Sequence, residues 1–162
     1  MGSFRNLNYN KVPDHDVYPS GAPCTDHSVA GKQRGLDGKT GSLFIDQWDL
    51  IETKQPKLVI LEQVPNVLFI QRGRVIKILN KRANAAGYRL QYWLLDSRDY
   101  GSVSQRERLF VIGVRKDIYE ELGPLPRPRK ETRHLRNVSD VLMPNALRPS
   151  QLPVRSGIAD TI

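Results

Sequence analysis

Cysteine, histidine and long apolar runs are scarce in this sequence. One cysteine, Cys24, stands among 162 residues, so no disulfide forms within the chain and a reducing compartment is expected. The three histidines are scattered and lack the spacing of a zinc site. No uncharged apolar run approaches the roughly 20 residues that cross a bilayer, and the first ten residues contain no apolar signal segment. We therefore expect neither a disulfide-rich secreted protein nor an integral membrane protein.

The sequence also lacks glycine-rich nucleotide-binding motifs, and it has fewer acidic than basic residues. Neither GxGxxG nor a P-loop occurs in the chain. Lys and Arg number 25 against 17 Asp and Glu, which gives a formal net charge of +8. Such an excess favours an anionic partner such as nucleic acid, and plain solubility is the alternative explanation. The length corresponds to about one domain.

The spacing of apolar residues predicts alternating strands and helices. Leu58–Leu61 is a continuous apolar run, typical of a strand covered on both faces. Alternation of this kind predicts an α/β fold with a parallel sheet and right-handed crossovers. The further predicted elements are strands at 15–19, 89–95 and 109–114, a helix at 42–53 with Phe44, Trp48 and Ile51 buried, and a helix marked by Val75, Ile76, Leu79 and Ala83 that ends near Gly87.

Three stretches divide the chain by composition. Residues 1–117 carry the strand and helix pattern and are predicted to form the folded domain. Residues 118–136 are rich in proline and in cations, which predicts a stiff basic linker. Residues 137–162 show no apolar period, and we expect an irregular tail.

Residues able to carry chemistry follow or precede the predicted strands. Ligands gather at the carboxyl ends of strands in open α/β sheets, and Cys24 and Glu62 stand there, with Arg106 and Arg108 before the last strand. A thiolate near arginines is a nucleophile, whereas a lone cysteine is commonly a small buried side chain. Burial of Glu62 would favour its protonated form and suit a proton donor, but an ion pair with an arginine is the alternative. Arg106 and Arg108 are two residues apart, so extended backbone would direct both side chains to the same side of the strand. The alternative is that both are solvated charges on the surface.

The order of these motifs resembles that of the DNA (cytosine-5) methyltransferases of bacterial and phage modification systems. A Pro-Cys motif stands at 21–25, a Glu-Asn-Val-like motif at 62–64, and a Gln-x-Arg-x-Arg-like motif at 104–108. The resemblance runs from about Val12 to Asp117. It implies a partial Rossmann-like methyltransferase fold, with S-adenosylmethionine as cofactor, double-stranded DNA as partner, and a location in the cytoplasm near the nucleoid.

The resemblance also implies a role for particular residues. Cys24 would add to carbon 6 of a flipped cytosine, Glu62 would bind and protonate the ring, and Arg108 would hold the carbonyl oxygen with Arg106 beside it. The sequence shows no metal-ligand cluster, so no metal site is expected. Pro23 and Leu43 would line the cofactor site, and the loop that contacts DNA would use Thr25, Ser28, Lys32 and Arg34.

The sequence departs from the family pattern in several places. The glycine-rich cofactor motif that the family has upstream is not found, and Gly2-Ser3-Phe4 stands where Gly-Asp-Ile is common. We expect residues 137–162 to be the start of a truncated recognition region. Gln63 replaces an asparagine and Ser104 a glutamine, which we expect to loosen local hydrogen bonds. Strands that flank the first one in the family lack a counterpart, so an exposed sheet edge is expected.

Two hypotheses therefore stay open. The chain is either the central catalytic part of a methyltransferase, with a complementary chain that supplies the cofactor motif and the recognition domain, or a non-catalytic remnant that binds DNA. On either hypothesis we expect no methyl transfer from the isolated chain.

Overall fold

A computed structural model describes residues 7–22 and 43–131. These residues form strands and helices in alternation, which confirms the predicted α/β class. None of the helices in these two stretches has the length and apolarity that crossing a membrane requires. The strands are β1 (Val17–Ser20), β2 (Leu58–Gln63), β3 (Tyr88–Asp96) and β4 (Glu107–Arg115), and the helices are α1 (Leu43–Asp46), α2 (Trp48–Lys54), α3 (Ile70–Ala85) and α4 (Lys116–Leu122); short 3-10 turns cover Tyr9–Lys11, Pro65–Leu68 and Ser97–Tyr100.

The strands form one sheet in the order β1-β2-β4-β3. β1 and β2 are parallel, as expected, and β1 is an edge of the described sheet. β4 runs antiparallel to both of its neighbours, which makes the sheet mixed rather than wholly parallel. The connection at 97–106 is too short for the crossover that a parallel pair needs, so β3 and β4 pair as a hairpin. The start of β4 therefore lies at the same edge as the carboxyl ends of β1 and β2.

The helix predicted at 42–53 is present as α1 and α2, joined at Gln47. The backbone N–H groups of Gln47 and Ile51 continue the helical hydrogen bonds through the junction, at 3.2 Å each. Phe44, Trp48 and Ile51 are buried, which confirms the predicted apolar face.

Helix α3 follows its predicted pattern closely. Val75, Leu79 and Ala83 are fully buried. Gly87 has a left-handed backbone with φ of +88°, and its N–H donates to the carbonyl of Asn84 at 3.2 Å. Glycine adopts this conformation without a steric penalty, so the predicted helix end is confirmed.

Within the described residues, the sheet is covered more completely on one face than on the other. Burial alternates along β2, where Val59 and Leu61 are buried while Ile60 and Glu62 are partly exposed. The expectation that β2 is covered on both faces is therefore wrong for this part of the chain, because the helices pack against one face. The core joins helix and sheet residues, namely Phe44, Trp48, Ile51, Val59, Leu61, Val67, Ile70, Val75, Leu79, Ala83, Tyr88, Leu109 and Val111.

Trp48 packs against the sheet at Gly113. A Cβ on Gly113 would lie 3.2 Å from side-chain atoms of both Val59 and Leu90, and 3.7 Å from the Trp48 ring. The absence of a side chain at Gly113 thus leaves room for Val59 and Leu90, and the indole lies over the same position. Tyr88 meets the same indole edge-on, with ring centroids 5.6 Å apart and an interplanar angle of 80°.

Residues 123–131, which we call the strap, lie along the edge strand β3. The side-chain amide of Gln91 donates to the carbonyl of Leu125 at 3.0 Å, and the Leu125 N–H donates back to Gln91 Oε1 at 2.9 Å. Farther along, Lys130 Nζ pairs with Asp99 at 2.7 Å. These contacts attach part of the predicted linker stretch to the sheet.

Candidate active site

The carboxylate of Glu62 meets two arginines where β2 ends and β4 begins. Sheet pairing sets Glu62 opposite Phe110, so the last residues of β2 lie beside the start of β4. Arg108 Nε donates to Glu62 Oε1 at 3.1 Å, and Arg106 Nη2 lies 3.9 Å from the same oxygen. The structure thus brings together Glu62, Arg106 and Arg108 from the predicted set. Arg108 lies inside β4, one residue past Glu107, because the strand starts earlier than the apolar run indicated.

This cluster is partly open to solvent. The side chains of Glu62, Arg108 and Arg106 are 41%, 24% and 61% exposed. The burial that we expected for Glu62 is not found among the described residues, because Glu62 lies on the less covered face of β2. The contacts of Glu62 instead match the alternative expectation, an ion pair with an arginine. Exposed pairs contribute at most about 1 kcal/mol to stability, so the arginines mainly fix the direction of the carboxylate.

The second oxygen of Glu62 points towards the end of β1. A Cβ placed on Gly21 would lie 3.6 Å from Glu62 Oε2, whereas Oε1 faces the arginines. A cavity of about 200 Å³ opens here. Cavities for drug-sized ligands typically measure about 300–1,000 Å³, so this one suits a smaller group. Its lining consists of Gly21, Ala22, Glu62, Gln63, Val64, Arg106 and Arg108.

Gln63 ties this cavity to the segment that follows β1. Its side chain is 1% exposed, and its Nε2 donates to the carbonyl of Ala22 at 3.1 Å. Gln63 Oε1 has no hydrogen-bond partner within the part of the chain that the structure describes. The glutamine therefore links the end of β2 to backbone that lies two residues before Cys24 in the sequence.

A second cavity, of about 380 Å³, shares Glu62 and both arginines. Pro128 reaches it from the strap, and the Tyr100 hydroxyl donates to the Pro128 carbonyl at 3.4 Å. Most of the residues that line this cavity were not predicted from the sequence. The available signal was Asp99-Tyr100-Gly101, which precedes the arginine motif and contributes Tyr100. The remaining walls are Leu95, Ser97, Tyr100, Phe110 and Pro128.

Polar contacts hold the turn that leads to the arginines. The Arg98 backbone N–H donates to Asp96 Oδ1 at 3.0 Å, and this hydrogen bond lowers the pKa of Asp96 below its usual value. Ser97 Oγ donates to the carbonyl of Ser104 at 2.5 Å. The Ser97 N–H also donates to the carbonyl of Arg106 at 3.1 Å. Ser97 therefore holds the backbone on both sides of Gln105, next to Arg106.

Several predicted site residues lie outside the described residues. Leu43 is the member of the predicted cofactor pair that the structure describes, and it opens α1 as a half-buried side chain. One apolar side chain does not define a site for S-adenosylmethionine within the described residues. The predicted residues outside the description are Pro23, Cys24, Thr25, Ser28, Lys32 and Arg34, together with Gly2-Ser3-Phe4.

Solved structures share the α/β fold of this domain, with its mixed sheet and the polar side chains where β2 ends. A mutant of Spodoptera frugiperda DNMT2 matches with a TM-score of 0.55 at 15% identity, over 80% of this chain and 38% of that one. The Entamoeba histolytica methyltransferase EhMeth matches with a TM-score of 0.54 at 16% identity, over 72% of this chain and 36% of that one. At such identities the likeness shows the fold.

Sequence comparison narrows this fold to one family. The family model of C-5 cytosine-specific DNA methylases matches residues 1–151, and the chain belongs to that family. The type II methyltransferase M.Bsp6I of Bacillus sp. (strain RFL6) is 37% identical over 147 residues, which cover 88% of this chain and 47% of the relative. The type II methyltransferase M.HhaI of Haemophilus parahaemolyticus is 30% identical over 145 residues, which cover 90% of this chain and 43% of the relative. The chain thus spans less than half the length of these relatives.

Proposed function

We propose that this chain carries base-binding and catalytic residues for methylation of carbon 5 of cytosine in DNA. The observation that carries the proposal is the orientation of Glu62. One oxygen of its carboxylate is held 3.1 Å from Arg108, and the other lies near Gly21, with which Glu62 lines a small cavity. Family membership supports the same chemistry.

The cluster offers groups that match one edge of cytosine. In this proposal Glu62 Oε2 accepts from the exocyclic amino group, and the carboxyl in its protonated form donates to the ring nitrogen. Arg108 donates to the carbonyl oxygen of the base. Its guanidinium has five N–H donors, of which those on Nε and Nη1 serve Glu62 and the Glu107 carbonyl, at 3.1 Å and 2.7 Å. The base reaches this cavity by leaving the duplex stack, at a cost of a few kcal/mol.

Cys24 is the proposed nucleophile, on the strength of the family motif. Its thiolate forms a bond to carbon 6 of the base while the electrons of the ring double bond shift towards the ring nitrogen, which takes the proton from Glu62. Carbon 5 thereby becomes nucleophilic. S-adenosylmethionine supplies the methyl group when it is bound. Loss of the carbon 5 proton to water then restores the double bond, expels the Cys24 thiolate and returns the ring proton to Glu62.

Covalent trapping on duplex DNA that contains 5-fluorocytosine tests this function. Fluorine at carbon 5 does not leave as a proton would, so the adduct persists and is visible on a denaturing gel. The chain is assayed alone and with a complementary polypeptide, taken from the remaining length of a relative such as M.Bsp6I, in the presence of S-adenosylmethionine.

We expect an adduct in the complemented reaction, and its loss in Cys24→Ser and in Glu62→Gln. Glu107→Gln, which removes a neighbouring exposed carboxylate, is the matched control and should still form the adduct. An adduct in Cys24→Ser, or none in any combination, contradicts the proposal.

A second function, DNA binding without turnover, is favoured by the excess of 25 cations over 17 acidic residues. In that case the chain binds duplex DNA with the same affinity in its Cys24→Ser form, and the complemented reaction gives no adduct.

A further inference from the structure

The segment after the candidate active site is basic and free of acidic residues. Between Gln63 and Gly87 the sequence contains cations and no Asp or Glu. Arg82 forms ion pairs with Asp49 and Glu52. The other cations are exposed, and no carboxylate of the described residues pairs with them; they are Arg72, Arg74, Lys77 and Lys81.

Phe69 is an exposed aromatic side chain within this basic segment. It is 72% exposed, the highest value among the large hydrophobic side chains of the described residues. Its neighbours Val67 and Ile70 are buried, at 0% and 8%. Packing of the core therefore accounts for the residues around Phe69 and not for Phe69 itself.

The backbone around Phe69 is fixed although the ring is exposed. The Phe69 N–H donates to the carbonyl of Asn66 at 3.0 Å, and the Phe69 carbonyl accepts from the Gly73 N–H at 3.2 Å. Gln71, Arg72 and Gly73 have left-handed backbone, with φ of 51°, 55° and 75°. Residues with a Cβ rarely adopt this conformation, and such segments cluster at functional sites. A backbone held in this way loses little conformational freedom when the residue binds a partner.

The topology places this segment at the edge of the candidate active site. The 3-10 turn Pro65–Leu68 directly follows β2 and packs against β4. Glu62 lies near the end of β2, beside the start of β4. Phe69 and the two arginines after it therefore follow the end of β2 that carries Glu62.

We propose that Phe69, Arg72 and Arg74 form a contact surface for the DNA duplex next to the flipped cytosine. The arginines neutralise phosphates, and Phe69 packs on a sugar or an unstacked base. Positive charge without internal carboxylate partners complements the DNA backbone, and an aromatic ring flanked by cations is typical of nucleic-acid contacts. The identity of the partner rests on the function proposed above.

Equilibrium binding of a fluorescent mixed-sequence duplex by the full chain, measured by anisotropy from 50 to 300 mM salt, tests this surface. The double variant Arg72→Gln/Arg74→Gln should reduce the slope of log K against log salt by about 1.8, because each phosphate contact contributes about 0.9. Phe69→Ser should raise the Kd at least about fivefold. The matched control is Lys81→Gln/Arg89→Gln, which removes two exposed cations towards the opposite edge of the sheet and should keep the slope.

Other outcomes overturn the inference. It fails if wild-type chain does not bind the duplex, if Phe69→Ser and the double variant bind like wild type, or if the control loses as much slope as the double variant. Anionic phospholipid vesicles form a separate arm, and vesicle binding that Phe69→Ser abolishes while duplex binding persists would assign the surface to lipid.

The trapping experiment separates this inference from the proposed function. Loss of duplex binding in the variants of a chain that never forms an adduct supports the surface and refutes the catalytic function. An adduct together with unchanged duplex binding in all variants supports the catalytic function and refutes the proposed contact surface.

Discussion

Leu61 and Glu62 are neighbours on β2 and should respond in opposite ways to substitution. Glu62→Gln keeps the size of the side chain and removes its charge. Its partners are an arginine that is 24% exposed and another that is 61% exposed, and Glu62 itself is 41% exposed. Solvent screens such a cluster, so the unfolding free energy should change by less than about 1 kcal/mol.

Leu61→Ala removes apolar atoms from a fully buried position in the core. Substitutions of this kind cost about 2–5 kcal/mol, since they lose transfer free energy and leave a cavity. That loss is a large share of the about 5–15 kcal/mol that stabilises a typical domain. Leu61 has no direct contact with substrate in the proposed mechanism.

Urea unfolding followed by Trp fluorescence, together with the rate of adduct formation on 5-fluorocytosine DNA, measures both effects. Trp48 is buried and reports the loss of packing. We expect Glu62→Gln to keep the urea midpoint and to slow adduct formation at least about 100-fold, in the range of general acid catalysis. Leu61→Ala should lower the midpoint and, below its unfolding transition, keep the rate.

The reasoning is refuted if Glu62→Gln lowers the unfolding free energy by more than about 2 kcal/mol, or if its adduct forms at the wild-type rate. Either result would make the Glu62 cluster a structural ion pair.

Further predictions concern the cavity, a buried tyrosine and the strap. Gly21→Ala places a methyl group 3.6 Å from Glu62 Oε2, so adduct formation should fall while the urea midpoint stays within error. Burial raises the pKa of Tyr88 to about 12, whereas unfolded tyrosine titrates near 10. Stability from this group is fully present below about pH 10 and is lost as the pH rises through 12, and Tyr88→Phe should flatten that decline in urea midpoints measured from pH 9 to 12. Tyr88→Phe also removes a 2.6 Å hydrogen bond to the Pro56 carbonyl, and we expect a loss of about 1–3 kcal/mol at pH 7. Gln91→Ala removes both hydrogen bonds to the strap, so limited proteolysis after residue 122 should become faster, and equal cleavage rates would contradict the docking.

Local signals in the sequence predicted much of the fold. The spacing of Val75, Leu79 and Ala83 identified α3, and Gly87 marked its end, because helix periodicity and capping depend on nearby residues. The order of motifs predicted that Glu62 and the arginines belong together, and the structure places them within 3.9 Å. Their joint role in the reaction stays a prediction.

Sequence reasoning missed the features that depend on contacts between residues far apart in the chain. Four apolar residues in a row indicated burial of β2 on both faces, but the burial of each face depends on which distant segments pack against it, and in the described residues it alternates along the strand. The strap was predicted as a linker, since nothing near Gln91 shows that Leu125 will pair with it 34 residues later. Phe69 is a large apolar residue, which the sequence alone would assign to the core, and only the three-dimensional structure shows its exposure.

The strap also bears on self-association. β3 is the outer strand beside β4, and an outer strand with free N–H and C=O groups is a template for pairing with other chains. Gln91 imitates a neighbouring strand by exchanging two hydrogen bonds with the Leu125 backbone, and Arg127 donates to the Leu94 carbonyl. Removal of the strap would therefore open this strand to intermolecular pairing, and Pro128 would leave the wall of the larger cavity at the same time. Protection of the outer strand and the shape of the larger cavity are thus coupled through one short proline-rich segment.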